Sequence, residues 1–148
     1  MKLTYKRLTE ADWKLVASIE QSVADGVLFR AYVKEDESRE YLKKSIVYGV
    51  MLDDKVIGTI SYELKDKDHA YIDAMTIIPE HQGKGYAAQA FDFLFEQIKG
   101  LKLIDLVTHP RNVKSLQIYL KRGFIIDGWI DNYFGDGQPR VRLVYLHP

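Results

Sequence analysis

The sequence predicts an α/β (α+β) domain in which helices flank a mixed, mostly antiparallel central sheet. Runs rich in β-branched and aromatic residues, joined by short polar turns, predict consecutive strands in the middle of the chain. Apolar residues at helical spacing predict amphipathic helices before and after this section. A length of 148 residues suits one core, so we expect residues 1–148 to form a single domain.

The first third of the chain predicts one strand and two helices. Residues 2–8 alternate polar and apolar side chains, as a half-buried strand does. Thr9 and Asp12 have the spacing of a capping box, which predicts a helix that starts here and ends at residues 24–26. Residues 35–46 predict the second helix.

The remaining chain predicts six strands and two helices. Strands are expected at residues 48–52, 56–64, 71–78, 101–108, 124–133 and 141–146. Helices are expected at residues 88–98 and 112–122. The first three of these strands should form an antiparallel meander, because only short turns join them. Gly58 lies inside the second of them and predicts a bulge or a close contact.

Composition argues against several classes of protein. The 21 basic and 21 acidic side chains give zero formal net charge, which disfavours nucleic acid and charged membranes as partners. The lack of cysteine excludes disulfides, a thiol nucleophile and a zinc–thiolate site, and we expect no metal. The chain shows no long apolar run and no signal peptide, so we expect a soluble, cytoplasmic protein. A homodimer is compatible with the sequence.

A glycine-rich loop joins the third strand of the meander to the next helix. Two glycines before a helix let backbone N–H groups converge on one point, where the helix N-terminus favours an anion. Lys84 adds a mobile cation, so a phosphate or pyrophosphate is the expected ligand. The candidate residues are Gln82, Gly83, Lys84, Gly85, Tyr86, Ala87 and Ala88. The alternative interpretation is an ordinary strand-to-helix turn.

Two common phosphate-binding motifs do not fit this loop. A Walker loop requires glycine where Ile78 stands and serine or threonine where Gly85 stands. Gly83, Gly85 and Ala88 match a dinucleotide fingerprint, but residues 79–82 separate the strand from the first glycine. Too few residues follow the helix to complete a dinucleotide-binding fold.

The loop and a later helix together resemble the two cofactor motifs of the GCN5-related N-acetyltransferases. Gln82, Gly85 and Ala87 fill Q/R-x-x-G-x-G/A, the acyl-coenzyme A pyrophosphate motif of that family. The second motif, N-x-x-S/A-x-x-x-Y-x-x-x-G-F, is filled by Asn112, Ser115, Tyr119, Gly123 and Phe124. The resemblance covers residues 47–134 and predicts the family's fold, in which two central strands splay apart.

The resemblance also implies a cosubstrate and where it binds. Acetyl-coenzyme A is expected in the gap between the splayed strands, with its pantetheine arm along the backbone of Thr76, Ile77 and Ile78. Asn112 and Ser115 are expected to contact the same arm. No resident metal is implied.

The implied activity is direct transfer of an acetyl group to a primary amine of a small molecule, peptide or protein. Tyr119 takes the place of the family's general acid, which protonates the leaving thiolate. A phenol is suited to this role because its ordinary pKa lies near 10. The alternative function is an inactive sensor domain of the same fold that binds acyl-coenzyme A, although the retained Tyr119 favours an enzyme.

The general base is where the sequence departs from well-known branches of the family. Tyr71 and Val107 stand where two such branches carry glutamate. Asp73 is the first candidate base, acting through water, with Glu63 and His109 as alternatives; each has a structural role as its alternative interpretation. Strand alternation predicts that Tyr71, Asp73, Met75 and Ile77 share one face.

The identity of the amine is not encoded in any motif. Several acids fall in segments that should border the acceptor cleft, where they would attract a cationic amine or simply lie in solvated loops. They are Asp25, Glu35, Asp36, Asp131 and Asp136.

Overall fold

The computed structural model describes residues 2–24 and 34–148, and a seven-stranded sheet dominates this part of the chain. The strands are β1 (Thr4–Leu8), β2 (Ile46–Leu52), β3 (Lys55–Asp66), β4 (His69–Ile77), β5 (Leu103–Thr108), β6 (Phe124–Ile130) and β7 (Arg140–Tyr145). The helices are α1 (Trp13–Val23), α2 (Glu35–Lys44), α3 (Tyr86–Ile98) and α4 (Val113–Lys121). Short 3-10 turns occupy Glu10–Asp12 and Pro79–His81.

The strands lie in the order β1-β2-β3-β4-β5-β7-β6. Neighbouring strands are antiparallel except β4 and β5, which are parallel. The predicted meander of β2, β3 and β4 and the predicted fold class are therefore confirmed. The parallel pair requires a crossover connection, and α3 supplies it.

The parallel pair β4–β5 opens into a gap partway along the sheet. Its pairing covers only residues 69–72 of β4 and 103–106 of β5. Beyond that point β4 continues along β3 as far as Ile77, and β5 continues along β7 as far as Thr108. The predicted splay of the central strands is thus confirmed, because each strand follows its antiparallel neighbour rather than its parallel one.

Helices cover the two faces of the sheet. On one face α3 buries Ala90, Phe91, Leu94 and Ile98, and α4 buries Tyr119 in the same core. On the opposite face α1 and α2 pack Val16, Tyr41 and Leu42 against Leu8 and Val47. No helix in the described residues is both long and apolar enough to cross a membrane.

A bulge at Asp73 changes which side chains of β4 share a face. Residues 61 and 62 of β3 pair with Ala74 and Ile72, so Asp73 has no partner residue of its own. Ile72 packs in the core beside α3, whereas Ala74 packs on the side of α1 and α2. The single face predicted for Tyr71, Asp73, Met75 and Ile77 is therefore wrong, because Met75 and Ile77 pack with Ile72. One extra residue reverses the alternation beyond it.

Gly58 permits a close approach between β3 and β4, as the sequence predicts. A Cβ atom at this position would lie 2.1 Å from the backbone oxygen of Thr76 and 2.9 Å from the Ile77 side chain. Only a residue without a side chain fits here. The glycine therefore fixes the position of the β4 segment that lines the gap.

The predicted ends of several elements differ from those in the structure by a few residues. The strand β2 begins at Ile46, within the predicted second helix, because α2 ends at Lys44. The strand β6 ends at Ile130 rather than at residue 133, and Asn132 has a positive φ of 50°. The helix α3 begins at Tyr86 rather than at residue 88. The predicted helix end at residues 24–26 lies partly outside the described residues, and α1 ends at Val23.

Candidate active site

Two adjoining cavities lie at the gap between β4 and β5. Both cavities reach Met75 and Thr76 on β4, and both reach Asn112 and Ser115 at the start of α4. One extends toward the loop before α3 and is called here the loop cavity. The other extends toward α1 and the β6–β7 connection and is called the polar cavity. The gap therefore joins two chemically different sites through a shared wall.

The loop cavity ends at the predicted phosphate-binding loop. Gly83 and Gly85 have positive φ angles of 77° and 82°, and a Cβ at either position would meet nothing within 4 Å. Gly85 caps α3, so the first backbone N–H groups of the helix lie beyond it without helical partners. Ala87 and Ala88 line the cavity, and Tyr86 lines it while packing into the core. Lys84 is exposed and lies outside both cavity walls.

Gln82 joins this loop to the end of β4. Its side-chain Nε2 donates a hydrogen bond to the backbone oxygen of Ile77 over 2.7 Å. The backbone N–H of Ile78 donates to the oxygen of Ile57 over 2.8 Å. Among the three β4 positions predicted to hold the pantetheine arm, Thr76 and Ile77 line the loop cavity and Ile78 lies outside both cavity walls.

Tyr119 closes the inner end of the polar cavity. Its side chain is buried between Phe91 and Phe124, with ring centroids 5.3 Å and 6.1 Å away, and only 5% of the residue is exposed. Burial raises the pKa of the Tyr119 phenol, and a hydrogen bond with Ser115 opposes this in part. The phenol therefore keeps its proton throughout the neutral range.

The start of α4 places three motif residues along the gap. Asn112 caps the helix, since its Oδ1 accepts a hydrogen bond from the Ser115 backbone N–H over 3.4 Å. Tyr119 follows one helical turn after Ser115, so their side chains lie on the same face. The spacing of the second motif is therefore the spacing of a helix face that lines the gap.

Asp73 enters the polar cavity from the bulge in β4. Its carboxylate accepts hydrogen bonds from the side-chain hydroxyls of Ser45 and Ser61. Burial raises the pKa of the Asp73 carboxyl, and the two serine hydrogen bonds act in the opposite direction. The charge of Glu63 also raises it.

The two alternative bases are already engaged by other residues. Glu63 forms an ion pair with Lys65, with 2.7 Å between Oε2 and Nζ, and lies outside both cavity walls. His109 is 2% exposed, and its Nδ1 accepts a hydrogen bond from the Arg111 backbone N–H. Its Nε2 therefore carries the proton and donates to Gln138 over 2.9 Å. The structure brings only Asp73 of the three into the gap.

Two charged residues in the polar cavity were not singled out by the sequence. Glu20 lies on α1 and is 3% exposed. The sequence could have pointed to Glu20, because it is an acid one helical turn beyond Val16 on the apolar side of a predicted helix. Arg140 is 2% exposed, forms an ion pair with Asp136 over 3.1 Å and lies over the Phe134 ring. Nothing in its sequence neighbourhood marks it, because the β6–β7 connection brings it to the gap.

Most of the acids predicted to border the cleft can be located in the described residues. Four of them line neither cavity, namely Glu35, Asp36, Asp131 and Asp136, although Asp136 pairs with Arg140 of the polar cavity. Asp131 accepts a hydrogen bond from Trp129, and Glu35 pairs with Arg39. Asp25 lies outside the described residues.

Comparison with known proteins places this arrangement in a family. The sequence model of the acetyltransferase (GNAT) family matches residues 12–124. The chain belongs to the GNAT family. The resemblance carried by the two motifs is thereby confirmed.

Relatives of known sequence or structure agree with this GNAT assignment. Streptothricin acetyltransferase from Escherichia coli is 30% identical over 115 residues, which are 74% of this chain and 62% of that protein. The chain thus spans less than two thirds of that relative's length. The ribosomal-protein-S18-alanine N-acetyltransferase of Escherichia coli has a TM-score of 0.82 at 16% identity, covering 97% of this chain and 93% of that one.

An acetyltransferase structure solved with coenzyme A has the same fold. The acetyltransferase of Bacillus subtilis in complex with CoA has a TM-score of 0.79 at 20% identity, covering 99% of this chain and 100% of that one. In the present chain, the open glycine loop, the unpartnered start of α3 and the gap in the sheet fit an acyl-coenzyme A cosubstrate.

Proposed function

We propose that this protein transfers the acetyl group of acetyl-coenzyme A directly to a primary amine, with Tyr119 as general acid. The observation that carries the proposal is the gap in the sheet. It connects an open glycine loop at a helix N-terminus to a cavity lined by Asp73 and Tyr119. The names of three similar proteins are compatible with this proposal, since they specify acetylation of streptothricin and N-acetylation of a ribosomal-protein alanine and of spermidine.

The loop and β4 bind and orient the cosubstrate. The backbone N–H groups at the start of α3 hold the pyrophosphate, where the helix dipole favours negative charge. The β4 edge at Thr76 and Ile77, together with Asn112 and Ser115, positions the pantetheine arm. Acetyl-coenzyme A supplies an acyl group on a good thiolate leaving group.

Two side chains move the protons of the reaction. Asp73 accepts a proton from the amine, through water, as the amine nitrogen bonds to the carbonyl carbon. Tyr119 donates its phenolic proton to the sulfur as the carbon–sulfur bond breaks. The products are an N-acetylated amine and free thiol, so the proton count balances. Glu63, one strand away, is the second candidate base.

Consumption of acetyl-coenzyme A over a panel of amines tests this function. Polyamines, aminoglycosides, amino acids and peptide N-termini should be included, with release of free thiol as the readout. We expect turnover with at least one class of primary amine. Binding of coenzyme A without turnover on any amine would instead support the sensor function.

Coenzyme A binding is tested separately at the glycine loop. Gly85→Asp places a side chain and a negative charge beside the predicted phosphate site, so calorimetry should show no binding of coenzyme A. Gly135→Asp is the matched control, because Gly135 has a similar φ of 80° and equally open surroundings but belongs to the β6–β7 connection rather than to this loop. Unchanged affinity in Gly85→Asp would contradict the loop assignment.

A further inference from the structure

A chain of buried hydroxyl groups ends on Asp73. Ser61 on β3 and Ser45 after α2 donate to the two different oxygens of its carboxylate. The phenol of Tyr41 on α2 forms a hydrogen bond with the Ser61 hydroxyl. Ser45, Ser61 and Tyr41 are at most 3% exposed. The α2 region and β3 therefore supply one donor each to the carboxylate at the bulge, and Tyr41 on α2 supports the β3 donor.

The donor directions in this chain follow from the number of protons. The Ser61 hydroxyl has one proton and gives it to Asp73, so the Tyr41 phenol must donate to the Ser61 oxygen. Hydrogen bonds arranged head to tail strengthen one another in a buried environment. The sequence of donors runs from Tyr41 through Ser61 to Asp73, and Ser45 supplies the second donor.

This arrangement fixes the carboxylate in two respects. One hydrogen bond on each oxygen sets the plane of the group, and each oxygen keeps a further lone pair for another donor. The same hydrogen bonds favour the ionised form against the cost of burial. A desolvated carboxylate that stays ionised is both a stronger base and an anchor for an ammonium group.

We propose that Ser45, Ser61 and Tyr41 form a hydroxyl relay that holds the Asp73 carboxylate in place as the proton acceptor for the amine. The three are positioning residues, since they act through Asp73. The inference rests on the proposed function, and it adds residues outside both cofactor motifs. Asp73 lies at the bulge, directly before Ala74, which packs on the side of the sheet where α1 and α2 lie.

The other charged groups around Asp73 are constant in the variants proposed here. Glu63 and Lys65 face it from β3. Glu20 on α1 and Arg140 on β7 line the same cavity. Because these four groups remain in place, a change in the titration of Asp73 reports the removed hydroxyl alone.

Carbon-detected NMR titration of the Asp73 carboxyl tests the relay without depending on activity. Ser61→Ala and Ser45→Ala should each raise the pKa of Asp73, because each removes a donor to the ionised form. Tyr41→Phe should raise it less, since Ser61 still donates. Thr59→Val is the matched control, because Thr59 is a buried hydroxyl on β3 whose oxygen has no hydrogen-bond partner among the described residues.

The rate measurements distinguish positioning from general stability. With an amine that the protein acetylates, Ser61→Ala should lose about tenfold in kcat/KM on the acid side of the pH profile and approach the unmodified enzyme in alkali. Ser61→Thr should retain the original profile, because it keeps the hydroxyl.

The outcomes separate this inference from the proposed function. An unchanged carboxyl titration in both serine variants would overturn the relay, as would an equal shift in Thr59→Val. If either of these titration results is found in an active enzyme, the relay is overturned but the proposed acetyl transfer still stands. A uniform loss of rate at every pH would also overturn the positioning role. A protein inactive on every amine would contradict the proposed function itself.

Discussion

Burial has opposite consequences for Tyr119 and Asp73, the residues that we propose as the acid and the base. It raises the pKa of both groups, because the charged form of each is poorly solvated. For the phenol, burial would secure the proton that the proposed mechanism gives to the leaving thiolate. For the carboxylate, burial increases the affinity for a proton, while the serine hydroxyls favour the ionised form. One physical cause would thus serve both the proposed acid and the proposed base.

Replacing Tyr119 with phenylalanine should separate acid catalysis from packing. Tyr119→Phe keeps the ring between Phe91 and Phe124 but removes the proton donor, so we expect kcat to fall about 100-fold. The affinity for coenzyme A in calorimetry should change little. Because the pKa of the phenol is raised, the unmodified enzyme should show no loss of rate from deprotonation of Tyr119 up to about pH 10. Full activity in the variant would show that water protonates the thiolate.

The pH dependence of Asp73→Asn separates a base from an anchor. If Asp73 takes the proton, kcat should fall at neutral pH and recover in alkali, where the amine is already deprotonated. If it only binds the ammonium, KM should rise at every pH at which the acceptor is charged. Initial rates between pH 6 and 10 measure both constants. If neither kcat nor KM changes in Asp73→Asn, Glu63 becomes the candidate base.

For single residues, the sequence shows which side chains belong to the motifs but not which side chains surround them in the fold. Tyr119 and Asn112 were predicted because the motif spacing is local and matches one helix face. The hydroxyls around Asp73 come from α2 and β3, and no local pattern links them. Glu20 and Arg140 were missed for the same reason, since separate elements bring them into the polar cavity.

Among the elements, β4 has the greatest influence on the site, and Gly58 on β3 controls its position. The sequence predicted a close contact at Gly58, because glycine is disfavoured inside a strand. It did not predict the bulge at Asp73, because a bulge leaves the hydrophobic pattern of a short strand nearly unchanged. That omission caused the wrong assignment of one face to four β4 side chains.

A methyl group at Gly58 should displace β4 and damage the site. Gly58→Ala places a Cβ 2.1 Å from the Thr76 oxygen, so we expect a loss of about 1–3 kcal/mol in the free energy of unfolding. Weaker binding of coenzyme A should accompany it, because Thr76 lines the gap. Urea denaturation and calorimetry measure the two effects.

Gly49 provides the matched control for this substitution. It lies on β2, where a Cβ would be 3.4 Å from its nearest neighbours, in side chains of Leu8 and Val56. Gly49→Ala should therefore cost less than Gly58→Ala and leave the affinity for coenzyme A unchanged. Equal destabilisation by the two substitutions would contradict the close approach at Gly58.

In the whole molecule, the gap divides the sheet into a larger leaf, β1 to β4, and a smaller leaf, β5 to β7. Among the described residues, four backbone-paired positions join the leaves across the sheet, between residues 69–72 and 103–106. The fold class and strand meander followed from sequence periodicity, and the splay followed only from the family resemblance. Periodicity describes each strand by itself and carries no information about where two parallel strands separate.

A ligand that spans both leaves should stabilise the whole domain. Coenzyme A at 100 times its dissociation constant adds about 2.7 kcal/mol to the free energy of unfolding. For a domain of this size, this corresponds to a rise in Tm of roughly 5–10 °C. Thermal unfolding monitored by circular dichroism should show this rise, and Gly85→Asp should abolish it. A similar rise in that variant would indicate binding elsewhere.

The separation of β4 from β5 also has a consequence for solubility. Strand edges normally lie at the outside of a sheet, whereas this gap creates two more within the domain. Unpaired backbone groups at an edge can pair with the strand of another molecule. A bound pantetheine arm would occupy part of the β4 edge, so this edge could no longer pair with a strand of another molecule. We therefore expect coenzyme A to lower the aggregation rate of this protein, even at temperatures where the domain remains folded.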